Sequence, residues 1–189
     1  MSLSSGAIAQ QAGGTLKPFV GMGLTFGGKD LATAEYTNGT TYTVTTGSLV
    51  DFRGGLEYRL INSPWAIQAV LGYHTDSSNA TNGTFEFRRI PVELIAMAEM
   101  SDQWRIGFGV RKATSAKVSA SGDAITQTDF GRSTTFTSNV GILFQAEYKI
   151  GPQFGLQARY VSETYQAQFS QPVEFDGSHA GIFGVFYFQ

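Results

Sequence analysis

The sequence predicts an all-β fold, an eight-stranded antiparallel up-and-down barrel. Three observations predict it. Apolar and polar residues alternate with a period of two through eight segments, tight-turn signals punctuate the chain between those segments, and no run of about 18 apolar residues offers a membrane-spanning helix. A chain of 189 residues suits a single domain.

The turns come in two sets. Asn38-Gly39, Asn82-Gly83, Ser121-Gly122 and Asp176-Gly177 are dipeptides that tolerate the positive φ of tight hairpins. Asn62-Ser63-Pro64, Ser101-Asp102-Gln103 and Gly151-Pro152-Gln153 are short breaks between apolar segments. Together they divide the chain into eight strands, each joined to the next by a hairpin.

The first strand sets Val20, Met22, Leu24 and Phe26 against Gly21 and Gly23. The second sets Val50, Phe52, Leu56, Tyr58 and Leu60 against Asp51, Arg53, Gly55, Glu57 and Arg59. The third places Trp65, Ile67, Ala69, Leu71 and Tyr73 opposite Ala66, Gln68, Val70, Gly72 and His74. The fourth is less regular, with Ile90, Val92, Leu94, Ala96 and Ala98 facing away from Arg89, Pro91, Glu93, Ile95, Met97 and Glu99. The fifth alternates Trp104, Ile106, Phe108 and Val110 with Arg105, Gly107, Gly109 and Arg111. The sixth alternates Val140, Ile142, Phe144, Ala146, Tyr148 and Ile150 with Asn139, Gly141, Leu143, Gln145, Glu147 and Lys149. The seventh sets Phe154, Leu156, Ala158 and Tyr160 against Gly155, Gln157, Arg159 and Val161, and the last is mostly apolar around Gly181 and Ile182.

Alternation alone does not say which face meets water. Three features put the apolar face outside, against lipid. Glycines collect beside the charges, where the narrow interior of an eight-stranded barrel needs small residues. Tyr58, Trp65, Trp104, Tyr148, Phe154 and Phe188 lie on the apolar face close to the short turns or the C-terminus, as an interfacial girdle requires. Phe26, Phe52, Tyr73 and Tyr160 mark the opposite girdle, and Trp65 to Tyr73 spans ~26 Å of strand, or ~20 Å of height at a tilt of ~40°. Third, the turns at the Trp65 end are short, whereas the other ends are joined by segments 29–47, 76–84, 113–134 and 166–178. The expectation is a transmembrane β-barrel with short periplasmic turns and longer extracellular loops, located in the bacterial outer membrane.

Composition agrees. Charged residues are only 15% against ~25% in an ordinary soluble domain. A formal net charge of −2 gives no footprint for nucleic acid. There are no cysteines and only two histidines, so no metal site and no cofactor are expected.

On these residues the chain resembles the small eight-stranded outer-membrane proteins, the class that contains OmpX and the transmembrane part of OmpA, over about residues 16–189. Phe186-Tyr187-Phe188, followed by Gln189, is similar to the C-terminal aromatic signature that such proteins offer to the barrel-assembly machinery. The resemblance implies a Gram-negative cell envelope, with outer-membrane lipid and lipopolysaccharide as surroundings. Residues 1–15 read as a disordered tail or as the remnant of a signal peptide, since Ala7-Ile8-Ala9 has the small-x-small form of a cleavage site.

The inward charges are Asp51, Arg53, Glu57, Arg59, Arg89, Glu93, Glu99, Arg105, Arg111, Glu147, Lys149, Arg159 and Glu163. Enclosed charges of both signs must pair, so they are expected to fill the lumen as a salt-bridge network. His74-Thr75-Asp76-Ser77 and Asp176-Gly177-Ser178-His179 bring His, Asp and Ser to the outer ends of two strands, the makings of a nucleophile and base at the rim. The function expected is structural or binding, through the outer loops or as a small subunit of an envelope complex. Segments 29–47 and 113–134 are the candidate contacts for a protein partner, with 31–36 and 42–46 continuing the first hairpin above the membrane. The alternatives are a rim-located lipid A-modifying enzyme and a narrow ion channel. No enzyme is expected.

Overall fold

The computed structural model describes residues 14–35, 41–80, 83–122, 133–167 and 173–189. In chain order the strands are β1 (Thr15–Gly27), β2 (Asp30–Glu35), β3 (Thr41–Thr45), β4 (Leu49–Arg59), β5 (Trp65–Ala80), β6 (Gly83–Glu99) and β7 (Trp104–Gly122). They continue as β8 (Ser133–Ser138), β9 (Gly141–Lys149), β10 (Phe154–Ser162), β11 (Thr164–Ala167), β12 (Val173–Asp176) and β13 (His179–Tyr187). Eight of these close a ring in the order β1, β4, β5, β6, β7, β9, β10, β13 and back to β1. Every pairing is antiparallel, which is the meander that the alternation predicts. β1 starts at Thr15, one residue ahead of the expected boundary.

The apolar face is outside. Met22, Leu71, Leu94, Ile106, Phe144 and Ile182 are exposed on the outer wall, while Asp51, Arg111, Glu147 and Arg159 are buried within the ring. Glycine makes that interior possible at close approaches: a Cβ on Gly155 would lie 2.8 Å from the Glu147 carboxylate, and one on Gly107 only 2.7 Å from the Gln145 side chain.

Several of the expected outer loops are strand instead. β6 and β7 are 17 and 19 residues long, and at ~3.3 Å per residue β7 is about 60 Å long, far more than a tilted crossing of a ~25 Å apolar band requires. The proposed loop at 113–134 is therefore β7 as far as Gly122 and β8 from Ser133, and the one at 76–84 is mostly β5 and β6. Ser121-Gly122 is the end of a strand. Asp176-Gly177 is no hairpin turn either: Gly177 and Ser178 interrupt two successive strands, with the Gly177 N–H bonded to the Glu163 carbonyl. Asn38-Gly39 lies outside the described residues, as do residues 1–13 of the expected tail.

Above the ring, β5, β6, β7, β8, β11 and β12 form an open curved sheet. The sense of alternation reverses there. Below Ile90, β6 sends apolar residues outward; above it, Phe87 and Phe85 point inward while Arg88 faces out. The inward residues Phe85, Phe87, Ala116, Val118, Phe136, Tyr165 and Phe175 make a buried apolar cluster, joined by Val44 and Leu31 from the β2–β3 hairpin. That hairpin forms as expected, but as a separate two-stranded sheet, and the Asp76 carboxylate anchors it by accepting from the Thr45 N–H at 2.9 Å. Gly28, at φ +81°, lets the chain leave β1 for β2, because a Cβ there would meet the Gly47 nitrogen at 2.3 Å.

Pro91 sits inside β6, where a ladder N–H is missing. The structure accommodates it with a bulge in β7, where Thr114 and Ser115 both face out and the Thr114 hydroxyl donates to the Ile90 carbonyl at 2.9 Å. Gly72 leaves the room on the other side: a Cβ there would lie 2.7 Å from the proline ring.

Candidate functional site

The enclosed charges are the only polar set within the membrane ring that converges, among the described residues, and they separate into two layers. The inner layer is built on Arg105, which β7 points inward one residue after Trp104. Its terminal nitrogens donate to Glu57 of β4 and Glu147 of β9, each at 2.8 Å. Glu147 also accepts from the Tyr187 hydroxyl at 2.7 Å and from Gln157 at 2.5 Å, and Glu57 accepts from Gln68 at 2.8 Å. Arg105 further donates to the Tyr187 oxygen. Below this layer, at the periplasmic mouth, Glu99 pairs with Arg59 at 2.6 Å and Lys149 at 2.8 Å. These last three are not enclosed; the Arg59 side chain is 37% exposed.

The outer layer is built on Arg111. It contacts Glu93 at 3.0 Å, Glu163 at 3.3 Å and Asp51 at 3.7 Å, which brings carboxylates from β4, from β6 and from the residue between β10 and β11 onto one guanidinium. Arg159 holds the other oxygen of Glu93 at 2.7 Å, and Arg53 lies 3.9 Å from Asp51. Arg53 is stacked on the Phe183 ring, 3.4 Å from its centroid. Arg89 is fully buried over Phe87 and Tyr165, and no hydrogen bond reaches its guanidinium.

The interior is thus not uniformly polar. Phe19, Val70, Ile95, Met97, Leu143, Val161, Phe183 and Val185 form a buried apolar layer, and the upper cluster around Phe87 caps the outer charges. Above the membrane, burial pushes the Tyr165 phenol above its ordinary value, so it stays protonated and donates to Glu163 at 2.7 Å. Sequence reasoning did not assign Gln68, Gln145, Gln157, Tyr187 or the two histidines to the network. The alternation carries the signal for all of them, since each occupies an inward position, but attention to formal charge passes over amides and phenols.

The rim histidines and Asp76 are drawn into the interior. His74 and His179 come together, with ring centroids 5.1 Å apart, but both are buried, and His74 is held by Thr25 at 2.8 Å. Asp76 is buried as well and anchors the β2–β3 hairpin. No serine hydroxyl is hydrogen-bonded to either imidazole among the described residues.

The girdle residues lie on the outer wall. Tyr58, Trp65, Trp104, Phe154 and Phe188 are exposed, while Tyr148 is half-buried and stacks against Trp104 with centroids 5.1 Å apart.

Little space is left inside. The gap at the periplasmic mouth, between Lys17, Arg59, Arg105 and Tyr187, is about 30 Å³, room enough for water. Beside Asp51, Arg111 and Arg159 the packing leaves no room for a water molecule.

Comparisons agree with this architecture. The structure is similar to that of Ail, the attachment invasion locus protein of Yersinia pestis, in complex with the heparin analogue sucrose octasulfate, with a TM-score of 0.54 at 12% identity over 93% of this chain and 98% of that one. A second Ail structure gives a TM-score of 0.51 at 11% identity with the same coverage. Neisserial surface protein A gives 0.47 at 13% identity over 91% of this chain and 94% of that one. No curated protein matches the sequence. A family model, the outer membrane protein beta-barrel domain, matches residues 1–183. With the ring closed, the apolar wall outside and the family model covering nearly the whole chain, the protein belongs to the outer membrane protein beta-barrel domain family and resides in the bacterial outer membrane.

Proposed function

We propose that the protein is a closed barrel that serves as a rigid platform for binding at the cell surface, acting through the sheet above the membrane. The observation that carries this reading is the filling of the lumen, with no room for a water molecule beside Arg111, together with a second apolar core outside the bilayer. A plugged ring does not favour conduction, and buried histidines do not favour lipid chemistry at the rim. The platform, by contrast, offers backbone for recognition: in the sheet β12 pairs, among the described residues, with β11 alone; its Asp176 carbonyl accepts from the Lys29 N–H at 2.9 Å, and Val173 and Glu174 beyond that contact are exposed. The stretch of edge left open at Glu174 accepts a strand from a partner protein. The β2–β3 hairpin beside it supplies the second contact. The outward Phe186 and Phe188 of the C-terminal segment support recognition by the barrel-assembly machinery during biogenesis.

Affinity capture from native outer membranes tests the role, comparing the full-length chain with a Glu174→Pro variant whose edge no longer donates. The variant should lose the captured partner while keeping the heat-modifiable mobility of a folded barrel. Capture unchanged by the proline would overturn the edge as the binding element, and steady single-channel currents in planar bilayers would replace the platform with a channel.

A further inference from the structure

Where outer-leaflet headgroups lie, the outer wall carries a group of cations on β6 and β7. On β6 the outward residues run Ala98, Ala96, Leu94, Val92 and Ile90, then Arg88; on β7 they run Ile106, Phe108 and Val110, then Lys112 and, beyond the bulge, Lys117. The register sets Arg88 directly opposite Lys117. Like charges in that relation repel across ~5 Å and destabilise a sheet unless an anion sits between them. Arg88, Lys112 and Lys117 have no hydrogen bond or ion pair among the described residues. Glu86, on the same face, accepts from the Thr75 hydroxyl at 3.3 Å instead.

The depth is set by the neighbouring strand. Arg88 pairs with Thr75, two residues beyond the girdle residue Tyr73, or ~6.5 Å further along the strand. Lys112 lies lower on the same wall, within snorkelling reach of the same layer. The exposed acids Glu174 and Asp176 lie on β12, separated from β7 by β8 and β11. Apart from Glu86 beside Arg88, the cations are therefore set apart from these acids, facing sideways at headgroup depth and not upward.

We propose that Arg88, Lys117 and Lys112 form a binding site for the phosphate of a phosphorylated glycolipid in the outer leaflet. The anion relieves the Arg88–Lys117 repulsion, and the wall below packs the acyl chains. The site goes beyond the platform reading and does not depend on it.

Native mass spectrometry of the detergent-solubilised protein tests it with three probes: bisphosphorylated lipid A, the same glycolipid without phosphates, and sucrose octasulfate as a soluble polyanion. The wild type should retain the bisphosphorylated lipid, and Arg88→Gln with Lys117→Gln should weaken retention about thirtyfold, since each cation at an anionic surface contributes about fivefold. Arg88→Lys with Lys117→Arg should restore it, and the dephosphorylated lipid should bind the wild type no better than it binds the double variant. Equal retention by the wild type and the glutamine variant, or equal retention of the two lipids, would overturn the site. Binding of sucrose octasulfate in place of lipid A, lost in the same variant, would also overturn it and assign the patch to a soluble sulfated glycan.

Discussion

The ionic layer around Arg105 and the layer around Arg111 use the same side chains with different completeness. At Arg105 both terminal nitrogens meet carboxylates at 2.8 Å, amides and a phenol occupy the remaining carboxylate lone pairs, and only Nε of that guanidinium is left over. Around Arg111 the arginines Arg53, Arg89 and Arg159 keep unbonded nitrogens, and aromatic faces stand in for missing acceptors. The difference teaches that lumen charges in one barrel can hold strands together by two means. Hydrogen-bonded pairs fix geometry at the periplasmic side, whereas cation–π stacking tolerates looser geometry toward the surface.

Arg105→Met should have the largest effect, because it leaves the buried Glu147 without a cation and Glu57 with Arg59 alone, at 3.2 Å. We expect a loss of about 3 to 5 kcal/mol in urea unfolding from lipid vesicles, followed by tryptophan fluorescence. Glu93→Ala should fall toward the lower end of the same range of about 3 to 5 kcal/mol, since Arg111 keeps Glu163 and Asp51 while Arg159 loses its carboxylate. A change below about 1 kcal/mol would show that Glu93 lacks an effective buried partner. Phe136→Leu removes edge-to-face contacts with Phe87 and Phe175 and should cost about 1 kcal/mol. Its signature is faster limited proteolysis above the membrane with the ring still protected. Arg89→Met should have the smallest effect, within about 1 kcal/mol of zero or slightly stabilising, because it removes a buried cation that no hydrogen bond satisfies. A loss as large as that for Arg105 would show that stacking on Phe87 and Tyr165 equals a salt bridge.

The ring was legible because lipid demands large apolar residues on every second position. Trp65, Ile67, Leu71 and Tyr73 state that demand plainly, and Gln68 and His74 between them state the opposite one. The strand extensions were not legible. Above Ile90 the outward positions of β6 and β7 leave the hydrocarbon for headgroups and water, so Ser, Thr and Lys replace the apolar signal, and a stretch such as Thr114–Gly122 reads as loop. Its inward residues, Ala116, Val118 and Ala120, are too small to announce a core. The bulge at Thr114 and Ser115 also shifts the phase by one, which breaks a period-two count. The individual ion pairs were beyond reach for another reason. Alternation gives the side of the wall on which Glu57, Arg105 and Glu147 lie, but their meeting depends on the stagger between β4, β7 and β9, which no single strand encodes.

The apolar cluster outside the membrane draws Phe87 from β6, Val118 from β7, Phe136 from β8, Tyr165 from β11 and Phe175 from β12. No single hairpin carries it across. The five side chains meet only when their strands lie side by side beyond the bilayer, so drawing any one hairpin back would first have to dismantle a core that it shares with the others.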